Sequence, residues 1–197
     1  MSTTTSTPSL TPTSAVTTPG HGAPRVHVLQ SVSDAQLQAL ADVLADVLAD
    51  CVEGGASVSF MRPLSPERAQ AFWRHVAEGV ERGERALLVA EDADGILGTV
   101  QLVLAQPENQ PHRAEVAKML VHRRARRRGI GALLMQAAET VAREHGKTLL
   151  VLDTSSAEAE RLYARSGWTR VGTIPGFALL PDGEPCATTF FYRQLST

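Results

Sequence analysis

Cysteine is nearly absent from this chain of 197 residues: Cys51 and Cys186 are its only two. Two thiols build no disulfide framework, and they show no metal-ligand spacing, so neither a stapled secreted fold nor a metal centre is indicated. No apolar run approaches the roughly 18 residues that a membrane-spanning helix needs. Aromatic residues make up only 5 % of the chain, and the formal net charge is −2. The molecule as a whole is therefore not a polyanion binder. A reducing cytoplasm is the default compartment. What the chain does have is 43 % hydrophobic residues, enough for a real core in a single domain of this length.

Met1 to about Pro24 is a different material. Eighteen of those 24 residues are Ser, Thr, Pro or Gly, with almost nothing to bury, which predicts disorder. The stretch lacks the basic start and apolar core of a secretory signal and the arginines of a transit peptide. The folded domain is expected over residues 25–197.

That domain should open with a short strand, Arg25–Val32. Ser33-x-x-Gln36 has the form of a capping box. It opens a helix with apolar positions Leu37, Leu40, Ala41, Leu44, Val47, Leu48 and Cys51, ended by Gly54-Gly55. Ser65-Pro66-Glu67 is a second helix start, with the cap, then proline, then an acid. Its buried face reads Ala69, Phe72, Trp73, Val76, Ala77 and Val80. Strands over Ala86–Ala90 and Ile96–Leu104 flank Asp94-Gly95, a strong hairpin signal. A turn over Gln106–His112 leads into a strand at Arg113–Val121. Thr148–Leu152 is an apolar run typical of a strand covered on both faces. Ser155-x-x-Glu158 should cap a short helix to Ser166. Strands Thr169–Leu180 and Thr188–Leu195, turning at Pro181–Gly183, complete the order. The pattern predicts an α/β fold, a mixed sheet flanked by helices.

Between the strand at 113–121 and the one at 148–152 lies the stretch that organises the rest. Five arginines, Arg123, Arg124, Arg126, Arg127 and Arg128, lead into a helix beginning at Gly129-Ile130-Gly131. Its apolar residues, Ile130, Leu133, Leu134, Ala137, Ala138 and Val141, keep one buried face. Gly146 suits the stop. No Ser, Thr, Asp or Asn is present to cap the start. Unpartnered N–H groups, a positive dipole end, glycines and guanidinium groups together make an anion site, and a pyrophosphate fits it best. The plainer reading is a tight turn with a solvated basic surface.

Arg126-x-x-Gly129-x-Gly131 matches the Arg/Gln-x-x-Gly-x-Gly/Ala signature of the GNAT superfamily of acetyl-CoA-dependent N-acetyltransferases. Ala159, Tyr163 and Gly167-Trp168 resemble the A-x-x-x-Y-x-x-x-G-[FW] helix of the same family, in the right order and separation. The resemblance covers about residues 85–195. Within the family, HRAEV, KMLV and LLVLDT are most similar to the tabtoxin-resistance acetyltransferases. The resemblance implies a mostly antiparallel sheet whose two central parallel strands, here at about 115–121 and 148–153, splay to admit acetyl-CoA. It implies that backbone groups of Met119, Leu120 and Val121 pair with the pantetheine. Backbone N–H groups of Arg126, Arg127, Arg128, Gly129, Ile130, Gly131 and Ala132 would hold the pyrophosphate. The loop at about 53–64 would form a wall of the acceptor pocket, with Phe60 and Met61 either lining it or simply packing. Family members are often dimers, though nothing in this sequence identifies an interface.

An amine must lose its proton before it attacks, so a base is needed. Glu115, in an apolar-rich strand, and Asp153, ending another, are the candidates, with partial desolvation expected to raise their pKa values. Glu115 is preferred as base, with Asp153 assisting or orienting the amine. The plainer readings are a surface pair with Arg113 or Lys118 for Glu115 and a turn or capping acceptor for Asp153. Tyr163 matches the tyrosine that protonates the departing thiolate in the family. Three departures stand out. Arg123 occupies a place where proline is frequent, and Arg127 one where glycine is common. Ser156 replaces an asparagine that contacts the pantetheine in many members. The expected activity is direct transfer of acetyl to the primary amine of a small molecule, a toxin or antibiotic among them, without metal. A peptide amine and a non-catalytic acetyl-CoA-binding module are the alternatives. The arginine run has no interleaved aromatics, which speaks against a nucleic-acid patch, and no Gly-Lys-Ser/Thr follows to make a P-loop.

Overall fold

The computed structural model of the chain describes residues 15–16, 23–29 and 34–196, with side chains over 23–29 and 40–196. The Ser33-x-x-Gln36 box, the expected strand residues Gln30–Val32 and most of Met1–Pro24 lie outside the described residues.

Each predicted element appears in its predicted order. A two-residue segment, β1 (Ala15–Val16), precedes β2 (Arg25–Leu29), α1 (Asp34–Glu53) and α2 (Pro66–Glu81). The meander β3 (Arg85–Asp92), β4 (Gly95–Val103) and β5 (Arg113–Val121) comes next, then α3 (Ile130–Glu144) and β6 (Leu149–Thr154). The chain ends in α4 (Ala157–Arg165), β7 (Thr169–Leu179) and β8 (Pro185–Gln194). Local chemistry accounts for the boundaries. Ser65 accepts a hydrogen bond from the Arg68 N–H at 3.3 Å, and Pro66 occupies the first turn of α2. Gly95, at φ 103°, makes the β3–β4 turn that an L side chain would strain. The one shifted cap is on α4. Ser156, not Ser155, accepts from the backbone N–H three residues on, that of Ala159, at 3.3 Å. Ser156 has the extended backbone that a capping residue requires (φ −100°, ψ 119°).

The strands form one sheet in the order β1-β2-β3-β4-β5-β6-β8-β7, and only β5 and β6 pair parallel. Alternation sorts the side chains onto two cores. Ala114, Val116, Leu150 and Leu152 pack with Leu134 and Val141 of α3. On the other face Leu87, Val89 and Leu120 pack with Leu44 and Leu48 of α1 and Trp73 of α2. Glu115, between Ala114 and Val116, and Val151 and Asp153, alternating with Leu150 and Leu152, accordingly face away from α3.

Two irregularities interrupt the sheet on either side of β5. The β5–β6 ladder holds only for Arg113↔Leu149, Ala114↔Leu150 and Glu115↔Val151, and then the strands part. On the other side of β5, Thr99 opposes Leu120 while Gln101 opposes Ala117. Lys118 and Met119 therefore share the space opposite Val100, a β-bulge, and Lys118 adopts φ +50°.

Beside this bulge β4 comes unusually close to β5, and a Cβ on Gly98 would lie 2.5 Å from the Leu120 carbonyl oxygen. Backbone cannot swing aside as a side-chain tip can. Gly98→Ala should therefore destabilise the fold by about 1–3 kcal/mol, the range for overpacking. A urea melt with an unchanged midpoint would mean that the two strands have room to separate.

Candidate active site

Where β5 and β6 part, the fold opens into a cavity of about 1310 Å³. One side is the splayed edge of residues 115–121, and its end is formed by Arg126, Arg127 and residues 129–132 at the start of α3. The remaining walls come from residues 153–166, from the loop between α1 and α2, and from the β7–β8 hairpin. The hairpin is tied to that loop. Ser57 donates its hydroxyl to the Leu179 carbonyl at 2.8 Å, and the Arg62 N–H donates to Pro181 at 2.9 Å. Phe60 and Met61 line the cavity, and Phe60 also packs edge-on against Phe72 at 5.3 Å.

The N-terminus of α3 is uncapped, as its sequence predicts. Gly129 is the N-cap residue at φ 79°, with no side-chain hydrogen bond to the first turn. Gly131 is tightly placed too: a Cβ there would lie 2.9 Å from Leu162 Cδ2 of α4. N–H groups so exposed, at the positive end of a 15-residue helix, suit an anion.

The arginines divide into two kinds. Arg123 is clamped to Asp50 through its backbone N–H at 2.7 Å and its Nε at 2.8 Å. Arg124 donates to the Ile96 carbonyl at 2.9 Å, and Arg128 forms an ion pair with Asp92 at 2.8 Å. These three side chains hold the loop to the body of the protein, and none of them lines the cavity. Of the five arginines in this run, Arg126 and Arg127 line the cavity. The clamps perturb their acids. Burial works to raise the Asp50 carboxyl, but the Arg123 hydrogen bonds, with His122 and the Arg123 charge, outweigh it and hold it below its ordinary range. The Arg128 guanidinium does the same to Asp92.

Both candidate carboxylates line the cavity on the same face of the sheet. Glu115 is half-buried at the last rung of the parallel ladder. Among the described residues it makes no hydrogen bond or ion pair, and Arg113 turns instead to Gln110 at 2.8 Å. Asp153 stands two residues beyond Val151, about 7 Å farther along β6. It is exposed, which corrects the expectation of partial desolvation, because the covered part of β6 ends at Leu152. Tyr163 is 4 % exposed and packs against Phe191 and Trp168, with ring centroids 5.7 and 6.0 Å away. Burial first, and the Asp153 charge second, push its phenol well above the ordinary value. It still reaches the cavity wall. Cys51 is buried, with its thiol pushed up to about 11 by burial, and so is not a nucleophile at neutral pH.

One cavity residue has no signal in the sequence. Alternation from Ala114 and Val116 would carry Lys118 under α3, but the bulge breaks the phase. Lys118 lines the cavity and donates from Nζ to Ser59 Oγ at 3.0 Å. Burial lowers its pKa, opposed by the charges of Asp153 and Glu115.

Comparison with known proteins gives a consistent answer. The profile of the Acetyltransferase (GNAT) family matches residues 52–168, more than half the chain. An N-acetyltransferase from Staphylococcus aureus Mu50 is 19 % identical with a TM-score of 0.68, over 87 % of this chain and 99 % of that one. Ribosomal-protein-alanine N-acetyltransferase from Brucella melitensis is 22 % identical with a TM-score of 0.69, over 86 % and 99 %. A Salmonella typhimurium protein described as an acetyltransferase, solved with its cofactor acetyl-CoA, is 19 % identical with a TM-score of 0.67, over 87 % and 94 %. At these identities the structural likeness is one of fold. The family is shown by the profile match, and the tabtoxin-resistance subgroup is not.

The Asp50 clamp is the simplest feature of this loop to test. Asp50→Ala leaves the Arg123 donors without their acceptor and should cost about 1–3 kcal/mol of stability near neutral pH. A carboxyl held below its ordinary 3.8 contributes fully above that value, and its contribution fades as pH falls through the lowered folded pKa. Urea melts of the variant and the parent should therefore converge in acid. A gap that stays constant down to about pH 3 would assign the loss to something other than this carboxylate.

Proposed function

The chain belongs to the GNAT acetyltransferase family, and we propose that it moves the acetyl group of acetyl-CoA to the primary amine of a small molecule. One coincidence carries this reading. An uncapped helix end, a strand edge and two carboxylates, the last two without partners among the described residues, open onto a single cavity. The acetyltransferase domain is residues 25–197, to which Ala15–Val16 adds an edge strand, and it works in the cytoplasm, where Cys51 and Cys186 remain thiols.

In this reading the N–H groups of Arg127 to Ala132 hold the pyrophosphate of acetyl-CoA, while that of Arg126, expected to join them, donates to the Arg123 carbonyl at 3.3 Å. Arg126 and Arg127 add charge, whereas Arg128 contributes only its main chain because Asp92 occupies its guanidinium. The free edge of Met119, Leu120 and Val121 takes the pantetheine as an added strand. Ser156 commits one lone pair to the cap of α4, and its O–H remains able to donate to an amide of the pantetheine. The thioester then lies near the place where β5 and β6 part.

An amine with a pKa of about 10 is mostly protonated at neutral pH. Glu115, at the mouth of the splay, takes that proton directly or through water, and Asp153 holds the ammonium in place beforehand. The nitrogen attacks the thioester carbon, so that a C–N bond forms as the C–S bond breaks. No covalent enzyme intermediate is needed, since juxtaposing the two reactants supplies several kcal/mol of the barrier reduction. Tyr163, whose raised pKa keeps it protonated, presents its O–H to the sulfur as charge develops there. A phenol so reluctant to ionise acts chiefly as a hydrogen-bond donor in the transition state. The hairpin tied over the α1–α2 loop narrows the acceptor side, which favours a compact amine over a folded protein.

Calorimetric titration with acetyl-CoA tests the donor half of the reading. Binding should weaken about tenfold or more (~1.4 kcal/mol) in Gly129→Glu, with the far-UV spectrum unchanged. A well-folded parent that does not bind acetyl-CoA would remove the donor and the activity together. For the transfer itself, Glu115→Gln should lower kcat by about 10²–10⁴ at neutral pH. The deficit should shrink as pH rises and the amine deprotonates unaided. Binding without thiol release, for any amine tried, would instead describe a non-catalytic acetyl-CoA module.

A further inference from the structure

Three non-glycine residues with positive φ occur among the described residues: Ser59 at 75°, Lys118 at 50° and Arg127 at 63°. All three line the same cavity. Backbone held in this region is costly for an L side chain and gathers where a protein positions something. Arg127 belongs to the end that suits the donor's pyrophosphate. Ser59 and Lys118 belong to each other, through the Nζ–Oγ hydrogen bond of 3.0 Å.

The surroundings of the Lys118 ammonium are incomplete. An ammonium has three N–H donors, and among the described residues its only hydrogen-bond acceptor is the neutral Ser59 hydroxyl. Glu115 and Asp153 are near enough for their charges to act on it, yet neither forms an ion pair with it within 4.0 Å. A half-buried cation without a contacting counter-ion has N–H donors left over. An anion that reaches it takes them up. The donor's phosphates are poorly placed to do so. The loop that carries Ser59 abuts Arg123 at Gly54, but by Ser57 and Arg62, on either side of Ser59, it is bonded to the β7–β8 hairpin. That is the acceptor side.

We infer that Lys118 is a specificity-determining residue that binds a carboxylate of the acceptor, so that the acceptor is an amino acid or a similar zwitterion. Its amine lies at Glu115 and Asp153, and its carboxylate lies between the Lys118 ammonium and the Ser59 O–H. A monoanionic carboxylate suits the position better than a phosphate, because two protein carboxylates face the same space and would repel a second negative charge. The inference rests on the transfer reading above and narrows its acceptor. A strut that only steadies the α1–α2 loop is the competing role for Lys118, and the two roles differ in what they do to acceptor choice.

The experiment compares the standard L-amino acids with their carboxamides as acceptors, with acetyl-CoA as donor and thiol release as the readout. The carboxamide keeps the side chain and lacks the negative charge; because its amine is less basic, kcat/KM is compared per unprotonated amine. For the best pair, the parent should favour the acid about tenfold or more in kcat/KM, the scale of one hydrogen-bonded contact between charged groups. The difference should appear in KM. In Lys118→Met the ratio should collapse toward one, and Lys118→Arg should restore part of it. Carboxamides used as well as acids by the parent would overturn the inference and leave the transfer reading intact, and this comparison needs no variant to fold. An equal loss for both members in Lys118→Met would assign Lys118 to the strut role. If no pair is acetylated, calorimetry of the same compounds against the protein saturated with coenzyme A separates the two claims. Lys118-dependent binding of the acids would sink transfer to small amines while the carboxylate site stands. No such binding would overturn both.

Discussion

Three rungs of parallel ladder, and then none, are the constraint on which the rest of this molecule depends. Every backbone N–H and C=O withdrawn from water needs a partner. Where β5 leaves β6 beyond Glu115 and Val151, a row of such groups is left open in the middle of a sheet rather than at its rim. Closing the gap would need another strand, and none of the described residues provides one. The same divergence brings the start of α3, the end of β6 and the loop after α1 around one space. Glu115 sits at the last rung, so its carboxylate meets that space without the cover that Ala114 and Val116 receive from α3. The bulge on the opposite edge of β5 is the complementary distortion. One edge loses its partner, and the other gains a residue and turns Lys118 into the opening.

Charge in this protein is mostly scaffolding. The basic run looks like a single surface in one dimension, but folding assigns its members separately. Asp50 and Asp92 take Arg123 and Arg128, a pair of main-chain carbonyls takes Arg124, and two arginines are left for the cavity. The neutralised members do more than keep the surface balanced. By fixing the loop at both ends they preset the direction in which the uncapped turn of α3 points, so that its N–H groups are aimed before anything binds.

The range of the forces involved decides which features were readable in the sequence. The turns at Asp94-Gly95 and Pro181–Gly183, the proline start of α2 and the one-sided helices are local decisions written in adjacent residues. The uncapped helix start was readable because an absence there is itself a local pattern. The cap of α4 was displaced by one residue because Ser155 and Ser156 are both competent, and only the backbone angles choose between them. The exposure of Asp153 and the partners of Arg123, Arg124 and Arg128 could not be read, since each depends on chain far away. Lys118 was hidden most deeply. Period-two alternation gives the wrong face for it, and a bulge formed by valine, lysine and methionine rather than by glycine carries no mark in the sequence.

The two halves of the cavity differ in how they are stitched together. The helix end and strand edge suited to the donor come from one run of chain, residues 115–132, to which Ser156 and Tyr163 add contacts from α4 and its cap. The side suited to the acceptor is joined by bonds such as Ser57 to Leu179, which are 122 residues apart in sequence. In evolutionary terms this separates what must be inherited as a block from what is free to drift. Substitutions in the hairpin or in the loop facing it can reshape one wall while the helix end and the strand edge stay as they are. A lineage built on this plan can exchange one substrate for another by changing a few surface residues, without relearning how to hold its coenzyme.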